Sequence, residues 1–299
     1  MALSRRLLSF GTEVNTFTLR FLGISGGLGS RPYSSGNGQS LGGGGAGEYL
    51  EKTVLPGEIS QSYQVIIGAG NGGDTTFQTN GSQANTFDFI LSGNSGYGAN
   101  AYVFDGGRTP GPATLNESAE GSLGNSGGNY SNPPGFFASG GGGGAGTAGE
   151  DSALRDPGNG GAGVSSDITG SAVIRGGGGG GAVWWTDDAY GAMSTAQINS
   201  SGLGGAGGGG RGGVTDADEE SGEDYMVRTN TNGSTNTGGG GGGRSALNSA
   251  SNGGSGVVIL RYPNTLTITV GAGLTSTTTT TGTDKVTTFT AGSDNISFA

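Results

Sequence analysis

The segment Val173-Ile174-Arg175-Gly176-Gly177-Gly178-Gly179-Gly180-Gly181-Ala182-Val183-Trp184-Trp185 sets six consecutive glycines between two short apolar runs. Glycine loses more backbone freedom on ordering than any other residue, so such a run is either a flexible linker or part of an arrangement that only bare backbone can build. Comparable blocks occupy 140–144, 207–210 and 238–243, with successive starts 36, 31 and 31 residues apart, and Gly42-Gly43-Gly44-Gly45-Ala46-Gly47 is an earlier one. Repeated block length, regular spacing and the flanks Val173-Ile174-Arg175, Arg211 and Arg244 favour order. An extended threefold helix rising ~3.1 Å per residue turns six glycines into a rod of ~19 Å whose N–H and C=O groups point outward on all sides. The expected fold is all-β with a polyglycine-II helix bundle, a glycine-rich sandwich flanked by small antiparallel β modules.

Composition limits the alternatives. Glycine supplies 72 of 299 residues, whereas Leu, Ile, Val and Phe together make under a fifth of the chain, too little for one large conventional core. Collagen is excluded, because there are only 8 prolines and the glycines come in blocks rather than at every third position. The net charge of −10 repels phosphates, so no nucleic-acid partner is expected. Histidine and cysteine are absent, which removes Ser/His/Asp and Cys/His catalysis, the usual zinc sites and disulfides, and no cofactor is expected. No apolar run approaches the ~20 residues of a membrane-spanning helix, so no membrane insertion is expected. The start, Met1 to Gly11 with Arg5 and Arg6, superficially resembles a targeting peptide. Its apolar part is too short for a secretory signal, and Glu13 follows early. An attachment segment is the better reading.

Three segments follow: 1–40 with one or two strands, a glycine-rich stretch 41–256 with variable inserts, and a Thr-rich β module 257–299. In the first, Phe17, Leu19 and Phe21 alternate with Thr18 and Arg20, the pattern of a half-buried strand. Tyr49 to Val54 and Ser62 to Ile67 flank Leu55-Pro56-Gly57-Glu58, which predicts a hairpin or paired ribbon. Short apolar pieces at Phe87 to Leu91 and Ala101 to Phe104 sit in polar surroundings. Val257 to Pro263, Leu266 to Val270, Val286 to Thr290 and Asn295 to Phe298 read as antiparallel strands rich in β-branched residues.

Three stretches carry a family resemblance. Residues 42–77, GGGGAGEYLEKTVLPGEISQSYQVIIGAGNGGDTTF, resemble the glycine-rich domain of bacteriophage tail-fibre and tail-tip proteins, and 253–263, GGSGVVILRYP, resemble its end. Residues 268–299, ITVGAGLTSTTTTTGTDKVTTFTAGSDNISFA, resemble the small β tail that often follows it in virion structural proteins. The resemblance covers about residues 40 to 299. It implies polyglycine-II layers, loops presented to a host cell-surface receptor (a protein or a glycan), other virion proteins as partners of the N-terminal segment, location on the virion surface and a homotrimer.

Candidate sites lie between the blocks. Trp184-Trp185 beside Asp187, Asp188 and Tyr190 reads as a sugar-stacking or protein-contact platform, and equally as a satellite hydrophobic cluster; Phe136-Phe137 after Pro133-Pro134-Gly135 carries the same two readings. Asp216, Asp218, Glu220 and Glu223 belong to an acidic run that offers oxygen ligands to Ca²⁺. In EF-hand register from Asp216, however, the glycine falls one place late and Val227 stands where the bidentate Glu belongs, so a solvated acidic loop is the plainer reading. Residues 238–245, GGGGGGRS, have P-loop spacing with Arg244 in place of Lys but no helix-forming sequence after it. Catalysis would rest on carboxylates such as Glu117, Glu120, Asp187 and Asp188, a depolymerase-like reading, and a non-enzymatic protein is expected. The leading expectation is a tail-fibre or tail-tip adhesin. Capsid decoration or a head fibre, an ice-binding protein and a carboxylate-based depolymerase are the alternatives.

Overall fold

The structure is a computed structural model that describes residues 17–30, 42–56, 59, 62–79, 89–91, 114–115, 125, 127–129, 136–153, 156–185, 201–216, 227–245 and 248–299. These residues contain strands and no α-helix, so none of them forms a helix long and apolar enough to cross a membrane. In chain order the strands are β1 (Leu19–Ile24), β2 (Tyr49–Val54), β3 (Ser62–Ile66), β4 (Thr75–Thr79), β5 (Phe89–Leu91), β6 (Thr114–Leu115), β7 (Phe136–Ala138) and β8 (Val164–Ser166). The second half adds β9 (Val173–Arg175), β10 (Val183–Trp185), β11 (Val214–Asp216), β12 (Val227–Arg228), β13 (Val257–Pro263), β14 (Ile268–Val270), β15 (Leu274–Thr281) and β16 (Asp284–Phe298).

Ten strands form one antiparallel sheet in the order β2-β1-β13-β16-β3-β4-β5-β6, with β14 and β15 also paired to β16. All three segments marked off in the sequence contribute strands to it. The 15-residue β16 joins its two halves: Asp284 to Phe289 pair with β13 and β15, whereas Ser293 to Phe298 pair with β3 and β14. Gly292 lies at the changeover with φ 97°, where a side chain would be strained and a Cβ would sit 1.9 Å from the Gly273 carbonyl oxygen.

The two halves face one another. Phe21, Leu50, Leu260 and Phe289 of the first half pack in one buried cluster with Tyr63, Phe77, Ile296 and Phe298 of the second. Aromatic contacts cross between them at 5.3 Å (Phe21–Phe77) and 5.6 Å (Tyr262–Phe298) between ring centroids. Gly23 makes room for this: a Cβ there would come within 2.9 Å of Leu91 and 2.7 Å of the Phe21 ring.

Two expectations are corrected. β1 is buried on both faces, because Leu22 and Ile24 pack with Val257 and Ile259 under Ala145 and Ile168 of the glycine-rich region. Its alternation of Thr18 and Arg20 with apolar residues stops at Leu22, and that is the end the second cluster covers. β2 and β3 form no hairpin: β2 pairs with β1, and β3 pairs with β16 and β4. The connection from Leu55 to Gln61 is too long to force adjacency, and the alternating Tyr63 and Val65 join the face-to-face core instead.

Where the sheet meets the glycine-rich region, pairing with two neighbours becomes pairing with three. The row Ile24, Tyr49, Val257 ends the strands β1, β2 and β13. Beyond it, Ser25 N–H donates to Glu48 O, Gly26 to Gly73 O, Gly27 to Gly254 O and Leu28 to Gly45 O, so the fourth donor returns to the segment used by the first. The same three-residue step recurs in the blocks. Gly177 and Gly180 donate to Gly207 and Gly210, Gly178 and Gly181 to Gly161 and Gly158, and Gly179 between them to Gly44. Gly240 and Gly243 donate to Gly177 and Gly180, with Gly241 donating to Leu28 and Gly242 to Thr231. The N–H groups of this P-loop-like run are therefore engaged by the protein itself.

The β8–β9 hairpin is tied to the outer face of the sheet by ion pairs. One Arg20 Nη2 donates to Glu51 Oε1 (3.0 Å) and Asp167 Oδ1 (2.6 Å), while Ser166 Oγ donates to Glu51 Oε1 and Tyr49 Oη to Glu51 Oε2. The Arg20 hydrogen bond and charge hold the Asp167 carboxyl below its ordinary value, and the Gly273 and Asn295 amides do the same for Asp294.

These observations generate two predictions. A Cβ at Gly179 would stand 1.9 Å from the Gly241 carbonyl oxygen, whereas one at Gly282 (φ 63°) meets nothing within 4 Å. Gly179→Ala is therefore expected to cost about 3 kcal/mol and Gly282→Ala about 1 kcal/mol in chemical denaturation; equal losses would contradict the packing described. A carboxyl with a depressed folded pKa stabilises the fold fully above its unfolded value and loses that contribution as pH falls through the folded value. Thermal midpoints should accordingly fall on acidification below pH about 4, and Asp167→Asn should flatten that fall.

Candidate functional site

The second sheet stands at the opposite end of the glycine segments from the first. Gly176 and Gly238 abut Ile24 of β1, and the segments they begin run to Val183 at the start of β10 and to Arg244. The segment after Gly207, which lies against the Arg175 backbone, runs to Val214 at the start of β11, and the 139–145 segment runs back from Ala138 at the end of β7 to Ala145 in the cluster beneath β1. These ends meet in a four-stranded sheet of order β12-β11-β10-β7, in which β10 and β11 are parallel and the other pairs antiparallel.

Register brings together residues remote in sequence. Ala138, Val183, Val214 and Arg228 form one row, and Phe137, Trp184, Thr215 and Val227 the next. Phe136, Trp185 and Asp216 form the third. At a strand spacing of about 4.8 Å, Phe137 adjoins Trp184 in one row and Phe136 adjoins Trp185 and Asp216 in the next, successive rows of this patch belonging to opposite faces of the sheet. Trp184 is half-buried. The other candidates, Asp187, Asp188, Tyr190, Asp218, Glu220, Glu223, Glu117 and Glu120, lie outside the described residues.

The base of this patch is buried, and hydrogen bonds link several of its polar groups. Ala138, Val183 and Val214 are fully buried. Thr215 Oγ1 shares a 2.6 Å hydrogen bond with Ser245 Oγ, and Asn248 Nδ2 donates to Ser245 Oγ and to Arg228 O (3.0 Å). Ser139 clamps β7 to the segment entering β10, donating from Oγ to Ala182 O (3.0 Å) and accepting from Ala182 N–H (2.8 Å). Arg211 donates through Nε to Ser201 Oγ, and burial, with Arg228 nearby, lowers its pKa. The strands are thus tied to the segments that lead into them.

A family model described as a glycine-rich domain matches residues 9–263. The chain belongs to this family. Comparison with curated proteins and with solved structures finds no match. The glycine-rich domain, so delimited, ends at Pro263, the last residue of β13, and β16, which pairs with Val258 to Pro263, lies beyond it.

Among the described residues no three Asp, Glu, His or Cys side chains gather in a metal-binding group. Glu51, in the most heavily hydrogen-bonded carboxylate cluster described, has both oxygens engaged by Arg20, Ser166 and Tyr49, and burial raises the pKa of Tyr49. This cluster and the Thr215–Ser245–Asn248 network escaped the sequence reading, because isolated Arg, Glu and Ser residues give no local pattern. Both tryptophans of the chain lie on β10, so intrinsic tryptophan emission reports this patch alone. Thr215→Val, which deletes one buried hydroxyl beneath it, is expected to cost about 1 kcal/mol of stability and to shift the emission; an unchanged spectrum would show that Thr215 does not position Trp184.

Proposed function

We propose that this protein is a non-enzymatic virion structural protein of a bacteriophage, a tail-fibre or tail-tip adhesin that presents its inserts to the host surface. The phage assignment rests on the sequence resemblance of residues 42–77, 253–263 and 268–299. The carrying observation is the register that sets Phe137 beside Trp184, and Phe136 beside Trp185 and Asp216, on strands that border the variable inserts in sequence. Paired aromatics next to an acidic group suit stacking against sugar rings or contact with a protein surface.

In this reading the glycine blocks are polyglycine-II helices. The three-residue step of their donors, returning to the same neighbour at every third residue, supports that geometry. Six residues of such a helix hold the patch about 19 Å from the large sheet. A contact surface held this rigidly loses little ordering entropy on binding. The N-terminal segment docks to other virion proteins.

Competition for adsorption tests the proposal. Purified protein should block attachment of the particle to its bacterial host, and the double variant Trp184→Ala/Trp185→Ala, with an unchanged circular dichroism melt, should block it about 30-fold less well. Equal blocking by the variant would remove the patch from the contact surface. Gold labelling on the capsid shell in place of the tail would replace the adhesin by a decoration protein.

A further inference from the structure

Among the described residues, the Thr-rich strand β15, Leu274-Thr-Ser-Thr-Thr-Thr-Thr-Thr281, forms an edge of the first half of the large sheet and pairs with β16 alone. Thr275 and Thr277 to Thr280 are exposed, and the β8–β9 turn reaches only its end, where a Cβ on Gly170 would lie 2.9 Å from Thr281 Cγ2. An open edge is a template for another strand, and folded proteins commonly blunt such edges with charge, proline or brevity. The other edges of this sheet are blunted so. β2 carries Glu51 and Lys52, β14 has three residues and β6 has two. β15 runs for eight residues, and no charge or proline occurs between Gly271 and Thr283.

We propose that β15 pairs with β15 of a second copy of this chain, antiparallel about a two-fold axis. The strand order β2-β1-β13-β16-β15 then continues as β15-β16-β13-β1-β2 of the second copy. Self-complementarity argues for this occupant: in antiparallel alignment a run of threonines sets Thr opposite Thr, a favourable cross-strand pair. The chain already contains that pairing, since Thr278 Oγ1 and Thr287 Oγ1 meet at 2.8 Å across β15 and β16. An uncharged edge also lets two chains of net charge −10 approach without juxtaposing like charges along the strand. Pairing through one edge closes at two copies, unlike the threefold association that the family resemblance implies. The contact is of the small, reversible class, with a dissociation constant of about 10–100 µM.

Sedimentation equilibrium of the full chain over a range of concentrations spanning about 5–500 µM tests this, beside the variant Thr277→Lys/Thr280→Lys. The expected result is a monomer–dimer equilibrium that the lysines weaken at least about 30-fold while the thermal midpoint stays unchanged. Hydrogen exchange of the wild-type protein gives a readout independent of the variant. Amides within 274–281 should gain protection at high concentration, and those of Tyr49–Val54 should not. A monomer at every concentration, an assembly the lysines leave intact, or protection of 274–281 that ignores concentration would each overturn the proposal.

Discussion

Backbone hydrogen bonds between segments that lack side chains hold this protein together at its centre, and the rest is arranged around them. A β-strand can satisfy its N–H and C=O groups with two neighbours because side chains occupy its other two faces. Without a Cβ those faces open. After Ile24 the donors of β1 turn to three surrounding segments, and the blocks at 176–181 and 238–243 do likewise. Backbone then approaches backbone so closely that added Cβ atoms would stand about 2 Å from neighbouring carbonyl oxygens, as at Gly43, Gly179 and Gly240. The entropy lost in ordering glycine is offset by the backbone hydrogen bonds these segments make with one another, which a polar interior requires.

The apolar core is displaced to one side of this array. Aromatic and aliphatic residues too few for a core of a 299-residue chain are concentrated between the two halves of the ten-stranded sheet, where Tyr63, Phe77, Phe21 and Tyr262 are fully buried. A smaller cluster around Ile24, Ile259 and Ile168 seals the sheet to the glycine-rich layer. The two chemistries meet at Ile24, Tyr49 and Val257. At the opposite end Ala138, Val183 and Val214 make a second, shorter junction, and the aromatic patch lies beyond it.

Local pattern reveals which of these elements exist but not which ones meet. The segments Tyr49 to Val54 and 257–263 mark strands correctly, and the six-glycine blocks announce an order that side chains cannot supply. Pairing is another matter. β1 finds β13, and β3 finds the far half of β16, through contacts that no short window of sequence contains. The proximity of Trp184 to Phe137 has the same character: each doublet is visible as an aromatic pair, yet only register shows that they adjoin. Arg20, Glu51 and Asp167 lie too far apart in sequence to form any motif, and sheet geometry alone unites them.

The central position of β16 sets a limit on when the molecule can form. During synthesis β1 emerges long before its neighbour β13 and before β16, which completes both halves of the sheet. Leu28 likewise waits for Gly241. A nascent chain of this topology holds the aromatic residues of β1 and β3 without their partner strands until β13 and β16 are released, with a high contact order and correspondingly slow closure. The scarcity of large apolar side chains through the intervening glycine-rich stretch then has a second use: it keeps the waiting chain from collapsing onto itself or onto its neighbours.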